Sequence, residues 1–264
     1  MFWHDLAWPE IESLSKDLPV VIPLAACEQH GRHLPVFVDT IQVTGIAERV
    51  EAQLSEEILL LPTLWLGSSH HHKDFPGTVS LRPLLYAQVI QDVARSILEA
   101  GFRRLFFLNG HGGNRVPAAD ALSDLISVED RADNAYLVLS SWWEISGEAI
   151  QAEKVGLEQP VVSHACSFET SLMMVLRPDL VHREGVLDNV PALQNDWFHS
   201  EDDSSKKVAV FRRFHRFSES GQLGKLEEAN VESGKAILAG ATNEIVAFLK
   251  DFATWPELPG LKPS

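Results

Sequence analysis

Residues 20–39 read VVIPLAACEQHGRHLPVFVD, an apolar run that changes abruptly to polar residues. The run Val20–Ala26 is continuously apolar and begins with three β-branched residues, which predicts a buried strand. Glu28, His30 and Gly31 follow almost at once. Open α/β sheets bind their ligands beyond the carboxyl ends of their strands, so this abrupt change to polar residues predicts a site there.

The residue types in this loop are those of a metal site. Glu28 and His30 are two residues apart, so on an extended chain both side chains point to the same side. Asp39 follows a short loop and, with Thr40, is predicted to cap a helix. Nitrogen and oxygen ligands without a thiolate suit Zn, Mn or Fe(II). The alternative is a polar loop that caps the strand, which is the commoner case for an isolated Glu-x-His.

The composition excludes some classes of partner. The chain has 264 residues, with 22 Lys plus Arg against 37 Asp plus Glu, and a net charge of −15. Such an acidic chain is not expected to bind nucleic acid or an anionic membrane surface. No apolar run is long enough to cross a bilayer, and no signal peptide is visible. Two cysteines, Cys27 and Cys166, are too few for a disulfide framework and predict a cytoplasmic setting.

The chain alternates buried strands with amphipathic helices, and no linker or repeat divides it. This alternation predicts an α/β fold with three layers around a mostly parallel central sheet, built as a single domain over residues 1–264. No element is predicted within residues 188–220. The predicted strands are Val20–Ala26, Ile58–Leu61, Leu105–Leu108 and Ala135–Ser140, and the predicted helices are Leu6–Leu18, Thr40–Ser55, Leu84–Ala100, Val116–Ile126, Leu172–Leu176 and Glu228–Phe252.

Residues 67–81, GSSHHHKDFPGTVSL, contain three consecutive histidines. Three neighbouring side chains cannot all face one ion, so His70 and His71 are interpreted as loop residues. His72 is interpreted as a pocket residue that binds substrate.

Polar or aromatic residues also follow the later strands. The glycine-rich run NGHGGN comes after Leu105–Leu108, where glycines let the backbone approach a ligand and place His111 at the sheet edge. Trp142 and Trp143 end the next strand and are interpreted as a substrate wall, with core packing as the alternative. Glu169 falls in the first turn of a helix, where the helix dipole alone would favour it.

Several separated motifs together resemble the creatininase family of metal-dependent amidohydrolases. The resemblance covers most of the chain from Val20 to Leu249, and the motifs are specific only in combination. It implies a three-layer α/β/α sandwich with two metal ions at the carboxyl ends of the sheet. The motifs, in the family's order, are EQHGRHLP followed by Asp39, HKDFPGTVSL, NGHGGN, HACSFETSLMMVLRPDLV and GQLGKLEEANVESGKAIL.

The same resemblance implies a set of metal ligands, with Asp39 bridging two divalent ions (Zn, Mn or Fe). Creatininase itself has a glutamate two residues after the histidine of the glycine-rich loop, where this chain has Gly113. Relatives that share NGHGGN have a glutamate in their ETS motif, which implies Glu169 as the replacement. Cys166 and Ser167 stand where many relatives have Gly-Glu, a difference that concerns the creatinine activity more than the metal site. The implied ligands are Glu28, His30, Asp39, His111 and Glu169.

The function implied is hydrolysis of a C–N bond in a cyclic amide or formamide by a metal-activated water. His164 would transfer the proton to the leaving nitrogen, because imidazole titrates in the right range; a helix cap or a packing residue is the alternative. Two other functions stay open: a small-peptide-clipping metallopeptidase of the same family, and a catalytically idle binding protein. Family resemblance also implies a homohexamer, with Phe198–Phe217 as a candidate contact surface.

Overall fold

The centre of the fold is a parallel sheet of four strands, β1 (Pro19–Leu24), β2 (Leu59–Leu60), β3 (Arg104–Asn109) and β4 (Tyr136–Ser141). They are hydrogen-bonded in the order β2-β1-β3-β4. The computed structural model describes residues 1–182, 184, 194–195, 197–199, 208 and 210–257. Two further short strands, β5 (Gln194–Asn195) and β6 (Phe198–His199), form an antiparallel pair.

Helices cover both faces of the sheet, as the alternation in the sequence predicted. The described α-helices are α1 (Trp8–Ser13), α2 (Val38–Gln53), α3 (Pro83–Glu99), α4 (Arg115–Val128), α5 (Trp142–Ile145), α6 (Ala152–Val155), α7 (Ser167–Leu176) and α8 (Val231–Phe252).

Side chains that alternate along the strands divide the core into two layers. Val21 and Phe106 belong to the cluster that includes residues of α2, α7 and α8. Val20, Ile22 and Phe107 belong to the cluster formed with α3 and α4. Because both faces are covered, the central strands are apolar along their length. The predicted α/β fold, with three layers around a parallel sheet, is confirmed.

Two predictions about helix bounds are wrong. The helix predicted over Leu6–Leu18 is limited to α1, because Leu14 has extended backbone angles that end it. α2 begins at Val38 with Phe37 as its N-cap residue, so neither Asp39 nor Thr40 caps it. The Asp39 carboxylate is therefore available to the site.

The range Phe198–Phe217, predicted as an oligomer surface, lies partly outside the described residues. Within the described part, Phe198 is buried and packs on Phe217 with 5.9 Å between ring centroids. Phe214 is buried as well, whereas Phe211 is 90% exposed. Phe198 and Phe214 are thus not surface residues, and the hexamer stays a prediction. In the part of the chain that the structure describes, no helix combines the length and the apolar character needed to cross a membrane.

The topology brings two polar loops to one edge of the sheet. Leu24 and Asn109, the last residues of β1 and β3, are paired in register. The chain therefore leaves both strands at the same level, and the loops that carry Glu28 and His111 start side by side.

Candidate metal centre

Four parts of the chain bring the predicted ligands into one buried cluster. The loop after β1 supplies two of them, the loop after β3 supplies one, and the first turns of α2 and α7 supply one each. Each ligand side chain is almost completely buried. They are Glu28 (1% exposed), His30 (1%), Asp39 (3%), His111 (3%) and Glu169 (7%).

Asp39 lies between two imidazoles. Its Oδ1 is 3.0 Å from His30 Nε2, and its Oδ2 is 3.1 Å from His111 Nδ1. Glu28 Oε1 stands 3.3 Å from the same His111 nitrogen, and Glu169 Oε2 stands 3.8 Å from His30 Nε2. The cluster therefore consists of two half-sites that share one carboxylate, and His30, Asp39 and Glu169 have the spacing of a metal site.

Hydrogen bonds determine which ring nitrogen of each histidine faces the cluster. His30 Nδ1 donates to the Glu28 carbonyl (3.1 Å), so its Nε2 is the nitrogen that faces the cluster and can bind a metal. His111 Nε2 donates to Ser69 Oγ (3.0 Å), and that hydroxyl donates to Glu28 Oε2 (2.6 Å). Partners of this kind orient metal-ligating histidines and raise their basicity.

The cluster fits a cation. His30 Nε2 and Asp39 Oδ2 are buried without a hydrogen bond, although buried polar atoms rarely lack a partner. Lone pairs of two imidazoles also face carboxylates at about van der Waals distance. A divalent ion with nitrogen and oxygen ligands would satisfy all of these atoms.

The pKa values of His30 and Glu169 also indicate that the cluster favours positive charge. Burial lowers the pKa of His30, but the carboxylates of Asp39 and Glu169 outweigh burial and raise it to about 10. Burial raises the pKa of Glu169 to about 7, with Asp39 adding to the rise and His30 opposing it. The cluster thus attracts positive charge, which is a proton when no metal is bound.

Gln29, which the sequence analysis did not single out, connects two histidines above the cluster. Its amide donates to His72 Nδ1 (2.9 Å) and to the Gly221 carbonyl (2.8 Å). His164 Nε2 donates to the Gln29 backbone carbonyl (2.8 Å). His164 Nδ1 and His72 Nε2 then face Glu28 Oε1 at 3.5 and 3.6 Å, respectively.

A strained backbone position holds His164 and Glu169 in place. Ala165 has a φ of 52°, in the left-handed region that residues with a side chain rarely adopt. Its N–H donates to Glu169 Oε2 at 2.5 Å. Burial and the neighbouring His30 lower the pKa of His164 to about 3, so the ring is neutral. Strain of this kind is found at functional sites.

A cavity of about 890 Å³ opens over the cluster. His72 and Trp143, predicted to bind substrate, line it, and so does His164. Trp142 does not line it; this residue is 1% exposed in the core beside α8, so its assignment to the substrate wall is wrong.

Two other residues of the cavity correct or extend the sequence analysis. His71 lines the cavity and lies near Glu28 and His111 at metal-ligand spacing, so its interpretation as a mere loop residue is wrong. His70 is exposed, as interpreted. Phe214 also lines the cavity, although no pattern in its own irregular stretch pointed to it.

Gly113 occupies a position where a side chain has no room. A Cβ atom there would lie 2.4 Å from the Ser68 carbonyl oxygen and 2.5 Å from His111 Nε2. The next contact would be His71 Cε1 at 2.7 Å. A glutamate is therefore incompatible with this backbone, whereas Glu169 reaches the cluster from α7.

Comparison with known proteins agrees with this geometry. The model of the creatininase family, described as creatinine amidohydrolase, matches residues 4–249. The chain belongs to the creatininase family. The chain is therefore a hydrolase of the creatininase type.

Its relatives in the family differ in their activities. The creatinine amidohydrolase of Pseudomonas putida is 33% identical over 205 residues, which are 73% of this chain and 78% of that protein. The mycofactocin precursor peptide peptidase of Mycobacterium tuberculosis is 38% identical over 120 residues, 42% of this chain and 47% of that protein. The family thus contains enzymes named for a small molecule and enzymes named for a peptide.

Solved creatininase structures share the whole fold. A mutant creatininase of the Zn-Zn type has a TM-score of 0.79 at 27% identity and covers 95% of this chain and 97% of its own. A creatininase in its Mn form has a TM-score of 0.77 with the same identity and coverage.

Proposed function

We propose that this protein is a metal-dependent amidohydrolase that cleaves a C–N bond in a small cyclic amide or formamide. The observation that carries the proposal is the position of Asp39, whose two carboxylate oxygens lie 3.0 and 3.1 Å from the lone pairs of His30 and His111. Two neighbouring carboxylates, Glu28 and Glu169, complete one half-site each. The Zn and Mn forms of creatininase support a divalent metal in both half-sites.

The proposed ligands fall into two groups. Glu28, Asp39 and His111 would hold one ion, and His30, Asp39 and Glu169 the other. Two bound ions would polarise the substrate carbonyl and lower the pKa of a bound water to about 7.

The chain's own groups supply the rest of the chemistry. The Nε2 proton of His164 is held by the Gln29 carbonyl, so its Nδ1 is free to accept a proton on the side of the cluster and to pass it to the leaving nitrogen. Glu169 is anchored by the Ala165 N–H, which donates to the same Oε2 that lies 3.8 Å from His30 Nε2.

A second candidate is the clipping of a small peptide. Its support is the identity of 38% with the mycofactocin precursor peptide peptidase over 120 residues. An assembly as a hexamer, a cytoplasmic location and a single domain over residues 1–264 remain predictions from the sequence.

Metal analysis combined with a substrate screen tests the proposal. The purified protein should contain up to two divalent ions, and Asp39→Ala should lose both, because Asp39 contributes to each half-site. Asp92→Ala is the matched control, since Asp92 is an exposed residue paired with Arg95 on α3.

The screen should cover creatinine, formamides, hydantoins and short peptides. We expect metal-dependent hydrolysis of an amide that a chelator abolishes and added metal restores. An Asp39→Ala protein that keeps two tightly bound ions, or hydrolysis that survives complete metal removal, would refute the proposal. Cleavage of peptides alone would select the second candidate.

A further inference from the structure

Phe214 lies directly against the two histidines that face the proposed metal centre. It sits on a 3-10 turn, Phe214–Arg216, and is 7% exposed. Its ring stacks on His72 with 4.1 Å between centroids and a 26° interplanar angle. It meets the ring of His164 edge-on at 4.6 Å. The phenyl group therefore fills the space beside the atoms that would handle the leaving nitrogen.

One carboxylate holds the turn that carries this ring. Asp74 Oδ1 accepts from Arg213 Nη1 at 2.9 Å, and its Oδ2 accepts from His215 Nδ1 at 2.8 Å. These two donors are the residues on either side of Phe214, and Asp74 is only two residues after His72. Asp74 thus ties the histidine loop to the turn, across 141 positions of sequence.

The turn is also fixed on its C-terminal side. The Leu223 N–H donates to the His164 carbonyl at 2.8 Å, and the Gly221 carbonyl accepts from Gln29. Contacts on both sides of Phe214 in the sequence therefore fix the segment that carries it. This segment and Asp74 form one wall of the cavity, called the Phe214 wall. Among the described residues, neither Phe214 nor Asp74 forms a hydrogen bond with a proposed metal ligand. Either residue can therefore be substituted without removing a ligand.

We propose that Phe214 is the specificity-determining residue of the cavity and that Asp74 is the positioning residue that sets its place. This inference rests on the proposed function and names its substrate class. The ring fills the space beside His72 and His164, which favours an amide whose group next to the scissile bond is compact. Bulkier groups are excluded by contact with the ring. A single methylene in an apolar pocket changes the ratio of kcat/KM between two substrates by roughly 10–200-fold. A phenyl group is larger than a methylene, so it can account for a change of this size.

The Asp74 contacts act by orientation more than by stability. The carboxylate is 29% exposed and the Arg213 side chain is 72% exposed, and ion pairs this exposed contribute little to folding. Two donors that flank one aromatic residue nevertheless restrict the angle at which its ring stands. Loss of Asp74 should therefore change substrate binding before it changes the melting temperature.

The first experiment compares wild type with Phe214→Ala and Phe214→Leu on amides that differ in bulk beside the scissile bond. We expect the ratio of kcat/KM for bulky over compact amides to rise at least tenfold in Phe214→Ala and less in Phe214→Leu, with metal content unchanged. An unchanged ratio in Phe214→Ala would overturn the inference.

The second experiment tests Asp74→Asn against Asp179→Asn. Asp179 accepts two hydrogen bonds from Arg177 on the surface and is the matched exposed pair. Asp74→Asn should raise KM with little change in kcat, and it should speed trypsin cleavage after Arg213. The control variant should do neither. Wild-type KM and wild-type cleavage in Asp74→Asn would remove the positioning role.

A third measurement needs no turnover and separates this inference from the proposed function. Diethyl pyrocarbonate acylates neutral imidazoles, and its attack on His72 and His164 in the metal-free protein can be followed by peptide mass spectrometry, with exposed His4 as the reference. Phe214→Ala should increase this acylation several-fold. If acylation increases but no variant hydrolyses any amide, the position of Phe214 over the two histidines is supported and the proposed function is refuted. Unchanged acylation overturns the wall itself.

Discussion

Ser69→Ala should weaken one of the two proposed metal sites and spare the other. Ser69 Oγ donates to Glu28 Oε2 at 2.6 Å and accepts from His111 Nε2 at 3.0 Å, so it orients the two ligands that belong to one half-site alone. It makes no such contact with His30 or Glu169, which belong to the other half-site. The expected result is one weakened ion and one ion bound as in wild type.

The magnitude follows from the partners that the substitution leaves behind. Loss of a group that orients metal ligands costs about 10–100-fold in affinity, which is about 1.4–2.7 kcal/mol. His111 Nε2 keeps the Ser68 carbonyl at 3.3 Å as a weaker acceptor. Glu28 Oε2 loses the hydrogen bond that the Ser69 hydroxyl donates to it. We therefore expect a loss toward the middle of that range.

The assay is a competition titration with a chromophoric chelator, which resolves two binding steps of different affinity. Ser68→Ala is the control. Ser68 precedes Ser69 and is as deeply buried, but its hydroxyl has no hydrogen bond. That variant should bind both ions as wild type does. Two unchanged binding steps in Ser69→Ala, or an equal loss in Ser68→Ala, would refute the reasoning.

Two further predictions concern His164 and Gly113. His164→Asn should lower turnover by about 10²–10⁴ with metal content and melting temperature nearly unchanged, as kinetics, metal analysis and calorimetry can check; wild-type turnover would end the role of His164 in proton transfer. Gly113→Ala should lower the free energy of unfolding by about 1–3 kcal/mol, because its Cβ would lie 2.4 Å from the Ser68 carbonyl oxygen. Gly112→Ala, where a Cβ meets nothing within 4 Å, should change it by less than about 0.5 kcal/mol, and equal denaturation midpoints for the two variants would contradict this account.

The sequence predicted the features that depend on local pattern. The apolar runs predicted the strands, and the polar residues after them predicted that Glu28 and His111 lie at the carboxyl edge of the sheet; the strand order was not predicted. Helix starts were less predictable, since Asp39 was expected as a cap and lies instead inside the first turn of α2. A short polar residue just before a helical pattern has the same local signature in both cases, and only the position of the neighbouring site distinguishes them.

The sequence could not predict contacts between distant parts of the chain. Trp142 and Trp143 are adjacent on paper, yet one packs in the core and the other lines the cavity. Phe214 reaches the cavity because Asp74 holds its turn, and these residues are far apart in sequence. Ser69 and Gln29 are ordinary polar residues whose roles arise only when their loops meet. The periodicity of apolar residues carries no information about contacts between distant loops.

The proposed ligands come from four separate parts of the chain, and this has a consequence for folding. Glu28 and Glu169 are separated by 141 positions (169 − 28), and β1, β3 and α2 must all be in place before the ligand atoms converge. Contacts of such high sequence separation form late, because loop-closure entropy opposes them until the rest of the chain has condensed. No fragment that ends before α7 contains the full set. Tight metal binding would therefore depend on a completed tertiary structure, and an incompletely folded chain would not compete for the ion.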